Sequence, residues 1–513
     1  MRARLLLLAL VTTASLLAAM TAACFGGAVP APTPRRTATA VATASTARPV
    51  AARLPDARVE ALLRRAVCWL DDPTSAGTCV PPSPDALAAI DEMGRSGDPR
   101  LVAPLIDMLN LDLSWRGPLD AALVRLTGEQ STDARGWREW LLGQGQANAE
   151  GPPGYARWKA RLLALTATPE TKPTYEALFG ATLDTSTLAA LHWTGVQPDA
   201  NRPLHDPANV NARAQRYLPP TDLVYGVVIG SEARAYPQRI IAWHGVVNDT
   251  LNGHAIVVVH CLPCGGAVAF ERGQSGGSTA AGKPRDFGTT GLALHSRSLI
   301  FDTVESRLWD GFSGVALGGP GSPGSPRAAL TPLPVFTTTW SDWQARHTTT
   351  TVLDIATGVV RDYSAGAATR DEVDSTRALH PVQADTRLAE KEPVIGVVPA
   401  SGPPLAFRLA EVQTRQLVTA GAPGAGVVAL SEGPGLAAGV YAAGGVHFVR
   451  AEGNGSGFAA IDDAGGRWAM REQALVQVGT GKELPALPWQ QGYWFAWAGA
   501  HPETEVVRSG TQP

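Results

Sequence analysis

The chain has 513 residues, of which 45% are apolar and 17% are charged, and its formal net charge at pH 7 is −3. A length of this order corresponds to about three domains, and the apolar fraction is sufficient for packed cores. The chain has no basic surplus to neutralise a phosphate backbone, so a nucleic-acid partner is not expected. The 54 Gly and 40 Pro residues favour turns and strands over long helices.

The N-terminus has the pattern of an export signal. Two arginines precede an almost wholly apolar run from Leu5 to Met20, which is too short to span a bilayer comfortably and suits a signal peptide. Thr21-Ala22-Ala23-Cys24 follows, and small residues before a cysteine resemble the lipobox of bacterial lipoproteins. We predict that residues 1–23 are a signal peptide. A lipid on Cys24 would then hold the protein at the outer face of the cytoplasmic membrane or in the cell envelope. Secretion as a soluble protein is the alternative.

Three segments of different character follow. Residues 24–54 are rich in Ala, Thr and Pro and are predicted to form a flexible tether. Residues 55–148 show apolar spacing typical of helices. They are predicted to form a helical domain, either a HEAT-like pair or a small bundle, through which a protein partner could bind. Residues 149–215 are interpreted as a connector.

The remainder of the chain is predicted to be mainly β, which makes the whole an α+β protein. In residues 216–360, short β-branched and aromatic runs alternate with Gly, Asn and Asp turns. Residues 390–507 resemble a degenerate second copy of this domain, because residues 393–398 (PVIGVV) share Val, Gly, Val and Val in the same order with residues 223–228 (LVYGVV). The spacing of Trp340, Trp343 and His347 recurs in Trp494, Trp497 and His501. Two unrelated β domains are the alternative.

The five cysteines suggest two pairs and one lipidation site. Cys68 and Cys79 flank a loop that contains Pro and Gly, and they are predicted to form a disulfide in an exported protein. Cys261 and Cys264 form a Cys-Leu-Pro-Cys motif. The supposed second copy has Ser431 and Pro434 at the aligned positions, so it would keep the fold and lose the thiols.

Several motifs together carry a family resemblance. They are Trp243-His244 with Asn248-Asp249-Thr250, the segment from His260 to Val268, Phe287 to Leu292, and Phe301 to Trp309. This set resembles the DUF3179 family, a bacterial and archaeal domain family of unknown function, over residues 220–353. The resemblance implies no activity. The chain departs from the family pattern at Cys-Leu-Pro-Cys, where Cys-Pro-Leu-Cys is usual, and at Leu294-His295, where Tyr-Asn is usual.

The Cys261 and Cys264 pair is the leading candidate site. A Cys-x-x-Cys turn between strands, followed by Gly265 and Gly266, has the form of a metal knuckle and opposes the helix of a thioredoxin-type motif. Copper or zinc would need further ligands, for which His244 and His295 are the candidates. A disulfide and a redox-active dithiol remain open alternatives to metal binding.

Two further interpretations compete with a metal or redox centre. Asp302 and Glu305 lie near a strand end and could act as catalytic acid and base groups beside the thiols, which would make the chain an uncharacterised enzyme. A structural envelope scaffold, with both cysteine pairs as disulfides, is the third interpretation.

Overall fold

The computed structural model describes residues 53–508, with gaps at 68–82, 112–114, 132, 145–150, 169–170, 181–182, 274–281, 319–326, 370–375, 384 and 422–425. The described residues all belong to one compact unit. Cys24, Cys68 and Cys79, the predicted signal peptide and nearly all of the predicted tether lie outside the described residues. The lipidation and the disulfide predicted there therefore stay predictions.

The N-terminal third of the described chain is helical. Its helices are α1 (Asp56–Ala66), α2 (Pro84–Ser96), α3 (Val102–Met108), α4 (Arg116–Thr127), α5 (Ala134–Gly143), α6 (Tyr155–Ala164), α7 (Tyr175–Phe179) and α8 (Thr185–Ala190). Helix α2 has clear local signals: the Ser83 hydroxyl accepts a hydrogen bond from Ala86 N, Pro84 occupies the first turn, and Gly97 ends the helix with a φ of 72°. One apolar core includes residues from Val59 to Leu191, among them Trp158 of α6, and continues into the first β region with residues between Leu292 and Leu317. Part of the expected connector therefore packs with the helical region.

The first β region follows the helices. Its elements are β1 (Leu191–Trp193), β2 (Leu204–His205), β3 (Asn209–Asn211), β4 (Leu223–Ile229), β5 (Glu232–Pro237), α9 (Gln238–His244), β6 (Val246–Leu251), β7 (His254–Cys261), β8 (Gly266–Glu271), β9 (Phe287–Leu294), β10 (Arg297–Asp302), β11 (Leu308–Asp310), β12 (Ala316–Leu317), β13 (Thr331–Leu333), β14 (Phe336–Thr339), α10 (Trp340–Arg346) and β15 (Thr351–Leu353). They form sheets with strand orders β1-β9-β10-β11-β12, β13-β8-β7-β6-β2 and β14-β4-β5-β15-β3. Strands β1, β2 and β3 come from the expected connector. Each of them is the edge strand of a different one of these three sheets.

The C-terminal region has a similar series of elements. They are β16 (Pro393–Val397), β17 (Leu405–Arg408), α11 (Leu409–Arg415), β18 (Leu417–Ala420), β19 (Val427–Ser431), β20 (Ala438–Ala442), β21 (Phe448–Glu452), β22 (Ala459–Asp462), β23 (Arg467–Met470), β24 (Ala474–Gln477), β25 (Glu483–Pro485), β26 (Trp489–Tyr493), α12 (Trp494–Ala500) and β27 (Glu505–Val506). Their sheet orders are β26-β16-β17-β27, β18-β19-β20 and β21-β22-β23-β24-β25.

Two sheets in the two regions share their strand order and directions. In β14-β4-β5-β15 the first two pairings are antiparallel and the last is parallel, and the same holds for β26-β16-β17-β27. A Cβ on Gly226 of β4 would lie 2.1 Å from the ring of Trp343, and a Cβ on Gly396 of β16 would lie 2.1 Å from the ring of Trp497. Each glycine therefore lets a tryptophan ring lie directly on its strand.

The turn before His254 is shorter than the polar composition of residues 248–253 suggests. Residues Asn248 to Leu251 lie in β6, and only Asn252 and Gly253, with φ values of 48° and 75°, form the turn. The polar Asn248 is fully buried because its side-chain amide donates to Phe287 O and accepts from Phe287 N at 2.8 and 2.9 Å. It thereby replaces a pair of backbone hydrogen bonds between β6 and β9.

The secondary-structure content agrees with the predicted α+β fold class. The described residues form a mixed α+β protein with its helices mostly in the N-terminal region, which confirms the expectation at this level. No helix among the described residues has both the length and the apolar character needed to cross a membrane.

Candidate functional site

Cys261 and Cys264 form a disulfide in the turn that joins β7 to β8. Their Cα atoms are 5.1 Å apart, and the turn is closed by hydrogen bonds from Cys264 N to Cys261 O and from Gly265 N to Leu262 O. His260, the residue that precedes the turn, contacts the ring of Tyr225, which belongs to a different apolar cluster from the two cysteines. Adjacent residues of a strand face opposite sides, and this explains the separation.

The disulfide is enclosed by apolar side chains and by the C-terminal region. Cys261 and Cys264 are 1% and 0% exposed and belong to an apolar cluster with Trp309 and Phe312. Tyr493 N donates to Cys264 O at 2.8 Å. A Cβ on Gly265, which has a φ of 79°, would lie 2.5 Å from the Tyr493 ring. Glycine is thus required here both for its backbone conformation and for close approach of the aromatic ring.

A neighbouring hairpin supplies a hydrogen bond to the disulfide. Strands β9 and β10 are joined by His295 and Ser296, whose φ values of 48° and 62° are those of a tight hairpin turn. Just beyond this turn, Ser298 N donates a hydrogen bond to Cys261 Sγ at 3.4 Å. Of the predicted histidines, His295 is therefore the one that lies on a segment contacting the cysteines.

The same hairpin holds a buried ion pair. Arg297 Nε donates to Asp310 Oδ2 at 2.7 Å, and both side chains are 5% exposed. The other carboxylate oxygen of Asp310 accepts the backbone N–H groups of Phe312 and Ser313. Burial, followed by the charge of Arg297, lowers the pKa of His295 to about 4. The imidazole is therefore neutral at physiological pH.

Two histidines that the sequence analysis did not select lie beside this hairpin. The rings of His192 in β1 and His380 have centroids 4.3 Å apart, and His380 N donates to the Ser296 hydroxyl at 3.1 Å. Burial is the largest cause that lowers the pKa of His192 to about 2 and that of His380 to about 4. His192 precedes Trp193 in the expected connector and His380 lies between the two predicted β domains, so no local motif pointed to either residue.

His244 is engaged elsewhere. Its Nδ1 lies 2.6 Å from Arg202 O and its Nε2 lies 2.7 Å from the Tyr363 hydroxyl. The carbonyl can only accept, so Nδ1 donates and Nε2 accepts from the tyrosine. Both ring nitrogens therefore have partners, and burial lowers the pKa of His244. The arrangement fixes α9 to two distant loop segments.

Asp302 and Glu305 have structural partners. Asp302 is fully buried; Oδ1 accepts the N–H groups of Val304 and Glu305, and Oδ2 accepts Trp309 Nε1 at 3.2 Å. Arg285 lies 3.2 Å from Asp302 and 3.0 Å from Glu305. The hydrogen bond from Arg285 is the main cause that lowers the pKa of Glu305. Both carboxylates thus stabilise the turn between β10 and β11.

The polar groups around the disulfide do not form a metal cluster. Among the described residues, no group of three or more His, Cys, Asp or Glu side chains is arranged to hold a metal ion. The structure gathers the Cys261–Cys264 disulfide, His295 and the Arg297–Asp310 pair around one hairpin. The structure also places His192, in β1, and His380, in a loop, beside this hairpin. These two histidines are far apart in the sequence, and only the fold brings them together.

A buried lysine of α6 bonds to the segment that leads into the first β region. Lys159 Nζ donates to Asp107 Oδ1 and to the carbonyl oxygens of Leu188 and Leu191. Leu191 begins β1, which pairs with β9. This lysine therefore connects the helical region to the sheet that carries His295.

The comparisons with known proteins agree with the motif pattern. A family model described as "Protein of unknown function (DUF3179)" matches residues 201–504. The match extends well past the expected limit at residue 353 and includes nearly all of the C-terminal region. Searches of curated proteins and of solved structures found no match to this chain.

Proposed function

Because the chain belongs to the DUF3179 family, whose description gives no activity, we propose a function from the site itself: a thiol–disulfide redox centre at Cys261 and Cys264. The observation that carries the proposal is the hydrogen bond from Ser298 N to Cys261 Sγ. An N–H donor on sulfur stabilises the thiolate that forms when the disulfide is reduced. The neighbouring Arg297 guanidinium is paired with the Asp310 carboxylate, so the Ser298 N–H is the group that distinguishes Cys261.

The Ser298 N–H bonds to only one of the two sulfurs, and this difference between Cys261 and Cys264 sets the direction of the proposed reaction. A thiolate of an exported dithiol reductant attacks Cys264 Sγ, the bond between the two sulfurs breaks, and Cys261 leaves as the thiolate that Ser298 N–H stabilises. The second thiol of the reductant then resolves the mixed disulfide. Two electrons pass to the pair, two protons convert the sulfurs to thiols, and the reductant becomes a disulfide. Because both sulfurs are buried, the turn around Gly265 has to open for the attack.

Redox titration with residue-specific readout tests the proposal. The mature protein is equilibrated in thiol–disulfide buffers and alkylated, and the peptides that contain Cys261 and Cys264 are quantified separately from those that contain Cys68 and Cys79. A redox-active pair has a midpoint potential above about −300 mV, within reach of cellular dithiols. A pair that remains oxidised below that potential contradicts the proposal.

A structural disulfide is the second candidate, and the burial of both cysteines favours it. A disulfide that closes so short a loop adds only about 2 kcal/mol through chain entropy. The scaffold interpretation therefore predicts that the Cys261→Ser and Cys264→Ser double variant folds and loses only a small part of its stability. The same redox titration separates the two candidates, because a structural disulfide resists reduction.

We also propose that the protein with reduced cysteines binds copper or zinc. The Cys261 and Cys264 thiolates with His295 are the donors that we propose for it, while both nitrogens of His244 are engaged. Metal analysis of reduced protein, with the Cys261→Ser variant as a control, tests this. Catalysis by Asp302 or Glu305 receives less support, because both carboxylates stabilise their own turn.

We also propose export and anchoring through a lipid on Cys24, with the helical region free to bind a protein partner. The support is the N-terminal sequence pattern. Detergent partitioning tests the anchor: the wild-type protein should enter the detergent phase and the Cys24→Ser variant the aqueous phase. Recovery of both in the aqueous phase would instead indicate secretion.

Finally, we propose that the two β regions arose by duplication. Support comes from the shared strand order of two sheets and from the paired Gly226–Trp343 and Gly396–Trp497 contacts. The Trp309 indole donates to Asp302, as the Trp468 indole donates to Asp462. In this interpretation, Cys261 and Ser431 occupy matching places, since each lies in the last residue pair of its hairpin.

A further inference from the structure

Several imidazole and guanidinium groups meet where the helical region joins the first β region. His192 and His380 are in ring contact, and His380 N is bonded to Ser296, the residue between His295 and Arg297. Strand β1 pairs with β9 so that His192 lies opposite Ala293. His295 lies in the turn just past the end of β9, one residue after Leu294, which pairs with Leu191 beside His192.

Two arginines of α5 reach the same place. Arg138 Nη1 donates to Leu191 O, next to His192, and Arg138 Nη2 donates to Asp107 Oδ1. Arg135 Nη1 donates to Ala378 O and Leu379 O, next to His380. The segment around residue 380 is thereby held between α5 and the β9–β10 hairpin.

Buried nitrogen atoms in this region lack hydrogen-bond partners among the described residues. They are Nδ1 of His192, Nδ1 of His295, Nε of Arg138, Nη2 of Arg135 and Nη1 of Arg297. The side chains of Arg138 and Arg297 are 2% and 5% exposed. Guanidinium N–H groups can only donate, and a buried donor without an acceptor costs free energy. The region therefore offers directed donors to an acceptor.

The charges around these donors are unequal. Three buried cations, Arg138, Lys159 and Arg297, are paired with two buried carboxylates, Asp107 and Asp310. One positive charge is in excess in a buried setting. The lowered pKa of His192, for which Arg138 is the largest cause after burial, agrees with a positive potential at the imidazoles.

We propose that His192, His295, His380, Arg138 and Arg297, the imidazole–guanidinium cluster, bind a small oxyanion that carries a carboxylate or a phosphate group. Guanidinium groups match the planar or tetrahedral oxygens of such anions, and they keep their charge at all relevant pH values. Neutral imidazoles add N–H donors without a competing charge. The site does not depend on the redox state of the cysteines, so it goes beyond the proposed redox function.

Calorimetric titration of the disulfide-bonded mature protein tests the site, with inorganic phosphate and acetate as separate probes. We expect one or both anions to bind. The double variant Arg297→Gln with Asp310→Asn removes the ion pair together, and it should weaken binding about tenfold or more. His192→Ala should also weaken it. His254→Ala is the matched control, because the His254 side chain lies at the start of β7 and is 43% exposed, and it should bind like the wild type.

The relative affinities of the two probes identify the group that the site prefers. His295→Asn keeps the test valid if other variants misfold, because asparagine tolerates the positive φ of 48° at this position. Failure of both anions to bind at about 10 mM, or equal binding by wild type and all cluster variants, overturns the proposal. Zinc or copper binding that is lost in His192→Ala, without any anion binding, overturns it in favour of a metal site.

Discussion

The backbone N–H of Ser298 donates a hydrogen bond to Sγ of Cys261, at 3.4 Å, across the gap between two hairpins. No corresponding donor contacts Cys264 Sγ among the hydrogen bonds of the described residues. The two sulfurs of one disulfide are therefore electrostatically different.

This asymmetry predicts that Cys261 is the more acidic thiol in the reduced protein. A hydrogen bond to the charged form stabilises it, so the pKa of Cys261 should lie below that of Cys264. Carbon-13 shifts of the cysteine Cβ atoms, followed with pH in the Cys261→Ser and Cys264→Ser variants, measure each thiol alone. Earlier titration of Cys264 would contradict the prediction.

Acid should destabilise the fold through His260. Burial lowers the pKa of this 5% exposed side chain to about 4, whereas an unfolded histidine has a pKa of about 6.5. Between these values the unfolded chain binds more protons than the folded chain. The free energy of unfolding therefore falls as the pH drops from about 6.5 to about 4, by about 3 kcal/mol for this residue.

The His260→Phe variant should lose this share of the pH dependence. Urea unfolding at several pH values between about 6.5 and 4 gives the slope for each protein. His254→Phe, at the exposed start of the same strand, is the matched control and should keep the wild-type slope. Equal slopes for all three proteins would show that His260 is not the responsible group.

Lys159→Met should weaken the connection between the helical region and the sheets. The fully enclosed ammonium group, whose pKa burial lowers to about 8, donates to Asp107 and to two carbonyl groups. Its removal leaves a buried carboxylate with one less partner and should cost about 3–5 kcal/mol. Arg157→Met, on the exposed side of α6, should change stability by less than about 0.5 kcal/mol. Chemical denaturation distinguishes the two, and a similar small loss for both would refute the anchoring role.

Alanine at Gly226 or at Gly396 should destabilise the protein to a similar degree. In each case the new methyl group would lie about 2 Å from a buried tryptophan ring, and overpacking of this type costs about 1–3 kcal/mol. Gly117 in α4 has open space around it, so Gly117→Ala should instead stabilise the protein by up to about 1 kcal/mol. Thermal unfolding of the three variants measures these effects. A large loss at only one of the two strand glycines would contradict the equivalence of the two sheets.

Local patterns in the sequence were sufficient for many elements. The run Leu223 to Ile229 is rich in the β-branched residues typical of a strand and forms β4. Thr339 is a typical helix cap, and α10 begins at the next residue, Trp340. These segments carry their own apolar spacing and end signals, so little information from the rest of the chain is needed.

Features that depend on distant partners could not be predicted in this way. Asn248 and Asp249 have the composition of a turn, yet they lie in β6, because Asn248 bonds to Phe287 and Asp249 to Arg234. His192 and His380 carry no motif, and only the pairing of β1 with β9 and the contacts of α5 bring them together. Sequence patterns therefore pointed to the cysteines and to His295 of the candidate site, and not to its cationic surroundings.

The contact of Tyr493 with the Cys261–Cys264 turn affects how the protein can be divided for experiments. A fragment that ends near residue 390 would keep both sulfurs but would expose the carbonyl of Cys264 and the bare face of Gly265 to water. Recombinant fragments intended to preserve the chemistry of the cysteines should consequently include the chain through β27. Expression of the cysteine-bearing portion alone would measure a different thiol environment from that of the intact protein.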